Sequence, residues 1–194
     1  DLNIENIDPD VYVGACHKWM CSPKGVSFLY VKKEFQSRID PLVVSWGYES
    51  EGTSLLPGNN NQTYKQFLNY HEWQGTKDIS AYLTIPATIK FLNNNNWKEV
   101  ASKCRKINLW AREEINQLLN NPPLCTDKFL GQMSSIYLDF KDPIESQIHF
   151  YKKHNIQIPF ICWNDKSLIR ISIQAYNNKD DISKLLDGLK KDYC

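Results

Sequence analysis

The stretch Tyr-Val-Gly-Ala-Cys-His-Lys-Trp-Met-Cys-Ser-Pro-Lys-Gly, residues 12–25, is the most informative part of this sequence. It opens with small and apolar residues, ends in turn formers, and is followed by the β-branched and aromatic run 26–31. This pattern predicts two strands joined by a turn. Between them, Lys18 follows His17 at the end of the first strand. An amine in that place is expected to be partly desolvated, which favours imine formation with a carbonyl.

The same residues also have a purely structural interpretation. Lys18 would then be a surface lysine beside a packed Trp19, and His17 a hydrogen-bonded structural histidine. Composition alone favours this alternative, so the choice between the two depends on the rest of the chain.

Length, charge and cysteine content exclude several classes of protein. The chain has 194 residues, of which 42% are hydrophobic, and its formal net charge is +1. This balance argues against a broad nucleic-acid or membrane-surface binder. The longest uncharged apolar run, 79–89, is well short of the ~20 residues of a spanning helix, and no signal peptide is visible. The six scattered cysteines indicate reduced thiols in a cytoplasmic protein, with no metal site.

The middle of the chain is predicted to be helical. Asp78 is expected to cap a helix that Pro86 kinks or divides. A second helix over 97–119 carries its apolar residues at spacings of three and four: Val100, Cys104, Ile107, Ala111, Ile115 and Leu118.

Short alternating elements follow the long helix. Strands are predicted at 135–140, 159–163 and 168–175, and helices at 143–154 and 180–193. The fold class is therefore α/β, with the end of a larger domain over residues 1–97 and a small α+β domain over 98–194. Residues 49–63 form a polar loop whose role the sequence leaves open.

Four segments occur in the order found in one family. They are Cys-His-Lys-Trp-Met-Cys-Ser-Pro-Lys-Gly at 16–25, Val-Val-Ser-Trp-Gly-Tyr at 43–48, Glu-Trp-Gln-Gly-Thr-Lys-Asp at 72–78, and Leu-Ile-Arg-Ile-Ser at 168–172, which Tyr176-Asn177 follows. Together they resemble the class V aminotransferases, and within them the isopenicillin N epimerase-like branch. The resemblance implies the C-terminal part of a fold type I enzyme that uses pyridoxal phosphate (PLP): the end of the large αβα domain, then the small C-terminal domain.

The resemblance also implies roles for five residues. Lys18 would form the Schiff base with PLP and move the proton at the substrate Cα. His17 would contact the cofactor phosphate. Gly75 and Thr76 would bind a phosphate across the interface of a homodimer with shared active sites. Arg170 would hold the carboxylate of an amino-acid substrate.

Two departures from the family pattern limit what this chain can do. Ala15 stands where the family has Ser or Asn as a phosphate ligand, a loss of about 1–2 kcal/mol if nothing replaces it. The chain also matches only the second half of family members. In the family, the other half holds the Gly-rich phosphate loop, the aromatic residue that stacks on the ring and the Asp that pairs with the pyridine nitrogen. We therefore expect the chain alone to be inactive. We also expect it to associate through the surfaces that the other half would cover.

Cys162 bears on the type of reaction. Cysteine desulfurases of this fold carry a nucleophilic cysteine within an Arg-x-Gly-x-x-Cys type motif. The stretch 155–166 lacks the Arg and the Gly, and its apolar pattern predicts that Cys162 is a core residue, where burial disfavours a thiolate. We therefore expect an epimerase, aminotransferase or lyase reaction at Cα. The alternatives are a cysteine desulfurase or lyase of the same fold, and a non-catalytic truncated remnant.

Overall fold

The computed structural model describes residues 2–45, Tyr48 and 62–194, except the side chains of 62–65. The chain divides into two compact units, Asp1–Asn93 and Asn94–Cys194. Within the described residues, no helix combines the length and the apolar character needed to cross a membrane. The assignment of residues 1–97 to a larger domain stays a prediction.

The first unit begins with a short helix and an antiparallel hairpin. Helix α1 is Ile4–Ile7, and strands β1, Val11–Ala15, and β2, Ser27–Val31, pair along their whole length. A 3₁₀ helix, Lys33–Arg38, follows β2. The two predicted strands are confirmed: β1 begins and ends one residue earlier than the predicted 12–16, and β2 begins one residue later than the predicted 26–31.

Three helices complete the described part of the first unit: α2, Gln62–Glu72, α3, Ser80–Leu83, and α4, Ile85–Asn94. Pro86 lies in the first turn of α4, so the prediction that it divides the helix is confirmed. Asp78 precedes the N-cap position of α3, and its carboxylate accepts a hydrogen bond from the Ser80 N–H (2.8 Å).

Residues 41–45, within the apolar run 41–46, form no strand, and one expectation about the predicted loop 49–63 changes. Trp46, Gly47 and residues 49–61 lie outside the described residues, as does most of the predicted loop. Helix α2 begins at Gln62, inside the range 49–63 that we predicted to be a loop.

The second unit places three helices against a three-stranded antiparallel sheet. Its elements are α5, Trp97–Leu118, β3, Met133–Tyr137, α6, Pro143–His154, β4, Phe160–Trp163, β5, Lys166–Ser172, and α7, Lys179–Tyr193. The strand order is β3-β5-β4, so the last strand in the chain is the central one. Every predicted element of this unit is present, and the bounds of α6 match the prediction.

The core of the second unit lies between the sheet and its helices. Ala111, Ile115, Phe150, Ile169 and Leu189 are completely buried. The apolar positions predicted on α5 all belong to this core: Cys104, Ala111 and Ile115 are buried, and Val100, Ile107 and Leu118 pack against them. The period of the sequence therefore identified the correct face of the helix.

The turn between β4 and β5 explains why β5 begins earlier than predicted. Asn164 and Asp165 have φ values of +49° and +59°, and Trp163 pairs directly with Lys166. A two-residue turn with positive φ at both positions favours pairing that starts at once on either side. Strand β5 therefore starts at Lys166 rather than at residue 168.

Helices α6 and α7 are joined by a polar contact at one end. The Asp192 carboxylate on α7 lies 2.9 Å from Nε2 of His154 and 2.5 Å from Nζ of Lys153, both on α6. Gly188, one turn earlier on α7, lets the backbone approach Phe150: a Cβ there would lie 3.0 Å from its ring. The two contacts fix the packing of the last helix.

Candidate functional site

His17 and Lys18 lie in the loop that joins β1 to β2. The Cys16 N–H donates to the Val26 carbonyl (2.9 Å), and the Ser22 N–H donates to the Cys16 carbonyl (3.2 Å). The Lys18 carbonyl accepts from the Cys21 N–H (3.1 Å), which closes a tight turn around the lysine. The loop therefore holds Lys18 at a defined place three residues beyond β1.

The side chains of this pair have different environments. Lys18 is exposed, so the expectation of a partly desolvated amine is wrong for this chain. It lies beyond the strand, in a turn that the described residues leave open to solvent. His17 is half-buried, and its Nδ1 is buried without a hydrogen-bond partner among the described residues. A buried imidazole nitrogen without a partner is uncommon and is suited to an external polar group.

Ala15 ends β1 and offers no polar side-chain atom. Its Cα partner across the hairpin is Ser27. Because residues directly opposite each other in an antiparallel pair share a face, the Ser27 hydroxyl lies on the same side of the hairpin as Ala15. The hairpin thus provides a hydroxyl close to the position where the family pattern has one.

Gly75 and Thr76 lie in the loop between α2 and α3. Gly75 has a φ of +94°, a backbone conformation that favours glycine, and a Cβ there would lie 3.4 Å from the Ser45 hydroxyl. Thr76 is exposed. Farther along this loop, the Ser80 hydroxyl and then its backbone N–H hold the pKa of the Asp78 carboxyl below its ordinary value. The loop therefore presents a threonine hydroxyl and ends at an ionised carboxylate.

Arg170 belongs to the second unit. It lies on the central strand β5 opposite Ser135, and its backbone N–H donates to the Pro159 carbonyl (3.2 Å). Its side chain is exposed and lines a cavity of about 310 Å³. The central strand fixes the backbone, and the guanidinium group remains accessible.

The five predicted residues lie in three separate places. His17 and Lys18 share one loop of the first unit, Gly75 and Thr76 share another, and Arg170 stands on the sheet of the second unit. Cys162 corrects a further expectation: we predicted it to be in the core, but it is exposed on the edge strand β4. The burial argument against a desulfurase is therefore wrong, while the missing Arg and Gly remain.

Arg112 and Ser134 also line the cavity beside Arg170, and the sequence reasoning missed both. Arg112 follows Ala111 on the apolar face of α5 and is only 6% exposed. A charged residue next to the core positions of an amphipathic helix is a signal that could have identified it. Ser134 lies within a strand and gave no comparable signal.

Comparisons with known proteins agree on one family. The model of the family described as aminotransferase class V matches residues 1–185. The isopenicillin N epimerase of Amycolatopsis lactamdurans is 26% identical over 194 residues, which cover 98% of this chain and 49% of the relative. The hercynylcysteine sulfoxide lyase of Schizosaccharomyces pombe is 26% identical over 201 residues, which cover 100% and 48%.

Solved structures support the fold. A mutant of C-DES with glycine covalently linked to its PLP cofactor matches with a TM-score of 0.69 at 20% identity, over 100% of this chain and 48% of that chain. The chain spans about half the length of the curated relatives that it matches.

Proposed function

The chain belongs to the class V aminotransferase family, and from this premise we propose that it is the C-terminal half of a PLP enzyme that acts at the Cα of an amino acid. The observation that carries the proposal is the loop of His17 and Lys18. In it, the exposed Lys18 follows in sequence a histidine whose buried Nδ1 has no partner among the described residues.

The residues of this loop fit the cofactor that the family implies. The Lys18 amine is accessible to the aldehyde carbon of PLP, and Nδ1 of His17 is suited to a phosphate oxygen. The Ser27 hydroxyl stands opposite Ala15 and compensates for the ligand that Ala15 lacks. When bound, PLP supplies the electron sink that makes the substrate Cα–H acidic.

Lys18 and Arg170 have separate tasks in this reaction. Lys18 would hold the cofactor and would accept the proton from the substrate Cα. Arg170 orients the substrate by a bidentate contact to its carboxylate. Because epimerisation, transamination and β-elimination all begin with loss of the Cα proton, the same two residues would serve the first step of all three reactions.

We further propose that Gly75 and Thr76 hold a phosphate of the neighbouring subunit in a homodimer. The positive φ of Gly75 turns the backbone sharply, and Thr76 beside it is exposed. Such a turn suits a dianion.

A lyase reaction is the second candidate. The curated epimerase and the curated sulfoxide lyase are each 26% identical to this chain. The exposed Cys162 also removes the burial argument against sulfur chemistry. The two candidates differ in the product: β-elimination releases the substrate side chain, whereas epimerisation returns the substrate with Cα inverted.

The experiment that tests the proposal is site-specific reductive labelling. The purified chain is incubated with PLP, reduced with borohydride and mapped by peptide mass spectrometry. We expect the adduct to concentrate on Lys18 and to be lost in Lys18→Ala. The matched control is Lys24→Ala, because Lys24 is an exposed lysine of the same loop. Labelling spread evenly over surface lysines, or undiminished in Lys18→Ala, would overturn the proposal and favour a non-catalytic remnant.

A further inference from the structure

Strand β3 lies at one edge of the sheet of the second unit. At one end of β3, the Ile173 N–H donates to the Gln132 carbonyl (2.8 Å), and at the other end the Leu138 N–H donates to the Ser167 carbonyl (3.1 Å). Hydrogen-bonded and non-hydrogen-bonded pairs alternate along an antiparallel ladder. The even-numbered residues of β3 therefore point their backbone groups towards β5, and the odd-numbered residues point theirs away from the sheet.

The free edge of β3 is capped at one end only. The Tyr137 carbonyl accepts a hydrogen bond from Nδ2 of Asn121 (2.8 Å). The backbone N–H and C=O groups of Met133 and Ser135 have no hydrogen-bond partner among the described residues. A strand edge with unpaired backbone groups is a template on which a further strand can pair.

The other edge of the sheet, formed by β4, differs from this one. The Arg170 N–H donates to the Pro159 carbonyl (3.2 Å), so by the same alternation Phe160 and Cys162 face the free edge of β4. The Phe160 N–H is already occupied, because it donates to Oε1 of Gln147 (3.4 Å). Of the two edges, β3 therefore has more backbone groups available for pairing.

A cavity of about 310 Å³ lies beside the free edge of β3. Its lining includes Ser134, on the buried face of the strand, and also Ser135 and Arg170, which share the opposite face of the sheet. Because the cavity is lined from both faces, it lies at the edge. The segment between α5 and β3 adds Leu124 and Leu130, so the cavity is a groove between that segment and the strand.

The charge of the groove favours an acidic occupant. Its lining contains two arginines and no Asp or Glu. Asp127 offsets the charge of Arg112 through an ion pair, whereas the Arg170 side chain is exposed. Arg170 stands directly opposite Ser135, and this small residue leaves room for the longer side chain to reach across β3. A glutamate opposite Ser135 on an added strand would complement the arginine.

The apolar part of the groove favours a peptide with small apolar residues on either side of the acid. Leu124 and Met133 both line the groove, and each is 40% exposed. Apolar side chains of an added strand would cover part of this surface. Backbone pairing, charge and apolar contact thus favour the same kind of occupant.

We propose that the free edge of β3 binds an extended acidic peptide segment, which adds to the three-stranded sheet and places a carboxylate side chain opposite Ser135. The peptide backbone pairs with the N–H and C=O groups of Met133 and Ser135. The inference is independent of the proposed function, because strand addition needs neither Lys18 nor a cofactor. A bound peptide and an amino-acid substrate would exclude each other at Arg170.

The test is a titration of the chain with the peptide acetyl-Thr-Val-Glu-Val-Thr-amide, followed by the ¹H–¹⁵N resonances of the backbone amides. A second peptide, with glutamine in place of glutamate, has the same shape without the charge. We expect the glutamate peptide to shift the amide resonances of Met133 and Ser135 saturably. It should bind about three- to five-fold more tightly than the glutamine peptide, because Arg170 is exposed. The Cys162 amide, on the free edge of β4, should not shift.

Two proline variants test the strand addition itself. Ser135→Pro removes an N–H that makes no bond within the sheet, and proline is tolerated at such an edge position. We expect the fold to be retained and the peptide to bind at least about ten-fold more weakly. Cys162→Pro is the matched control, because it removes an N–H from the free edge of β4 and should leave the affinity unchanged.

Arg170→Gln gives a result even where the proline variant fails to fold. It leaves the backbone edge of β3 intact, so both peptides should still bind. The preference for the glutamate peptide over the glutamine peptide should disappear, because the positive group is gone.

Several outcomes would overturn the inference. They are the absence of a saturable shift with either peptide, equal binding of the two peptides, unchanged affinity in a folded Ser135→Pro chain, and a shift of Cys162 as large as that of Ser135. Shifts of Met133 and Ser135 that follow the concentration of the chain itself would show that a second copy occupies the edge instead. None of these outcomes affects the reductive labelling of Lys18, so the proposed function is tested separately.

Discussion

Nε2 of His154 lies 2.9 Å from the Asp192 carboxylate, and both side chains are at most 10% exposed. Lys153 adds a second contact to the same carboxylate, and His149 lies 3.5 Å from it. All three partners are on α6, so Asp192 ties the last turn of α7 to the preceding helix.

Asp192→Asn is therefore expected to destabilise the second unit by about 2–4 kcal/mol, because it leaves a buried histidine without its charged partner. Chemical denaturation measures the free energy of unfolding. Asp187→Asn, on the exposed side of the same helix, is the control and should stay within about 0.5 kcal/mol of the unmodified chain. Equal effects of both substitutions would refute the structural role of Asp192.

The same carboxylate makes stability dependent on pH. Burial raises the pKa of Asp192, but hydrogen bonds from Lys153 and His154 outweigh it, so the pKa lies below its ordinary value of 3.8. A carboxyl whose pKa is lower in the folded state stabilises the fold above its ordinary pKa and loses that contribution as pH falls through the folded value. We expect unfolding free energy to fall below pH 3.8, and to fall less steeply in Asp192→Asn. Identical slopes would contradict this.

Gly188→Ala is expected to destabilise the fold by about 1–2 kcal/mol, although alanine favours helices more than glycine does. The new Cβ would lie 3.0 Å from the ring of Phe150, which is completely buried. Thermal unfolding checks this. Gly131→Ala is the control because a Cβ there meets nothing within 4 Å; a stabilised Gly188→Ala would show that α7 shifts freely.

The six free thiols should differ in the rate at which they react with a thiol reagent. Cys21, Cys162 and Cys194 are exposed and should react quickly. Burial raises the pKa of the Cys104 thiol, so Cys104 should react at least about ten-fold more slowly until the chain unfolds. Mass mapping identifies each labelled residue. Slow labelling of Cys162 would indicate that its side chain is buried, contrary to its exposed position on β4.

The hairpin of the first unit should promote self-association. Val13 is 64% exposed and Leu29 is 41% exposed, and the two are direct cross-strand partners, so they form one apolar patch. Leu29→Lys is expected to shift the sedimentation profile at high concentration towards the monomer. Leu2→Lys changes an exposed leucine outside the hairpin and is the control. A monomeric unmodified chain would contradict the prediction.

The elements that the sequence predicted best are those whose pattern is long and periodic. The 22 residues of α5 cover six turns, and the spacing of Cys104, Ala111 and Ile115 identified the buried face. By contrast, β3 lies at Met133–Tyr137 rather than 135–140. Its extent depends on pairing with β5, which is distant in the sequence and leaves no local signal.

The sequence identified candidate site residues only through short motifs, and the roles of these residues stay predictions. His17, Lys18, Gly75, Thr76 and Arg170 were selected from ordered segments, and the backbone turns around Lys18 and Gly75 fit those segments. Exposure was not predictable in the same way. Cys162 has apolar neighbours in the sequence, but it lies on an edge strand, and its exposure depends on the strand order β3-β5-β4.

That strand order also governs when the second unit can form during synthesis. Among the residues that the structure describes, β3 and β4 each pair only with β5, which is the last of the three to leave the ribosome. Until Ser172 has emerged, both earlier strands have no partner within this sheet. The sheet therefore forms in one late step rather than strand by strand, and nascent chains that stall before that point expose two unpaired strands to chaperones or to one another.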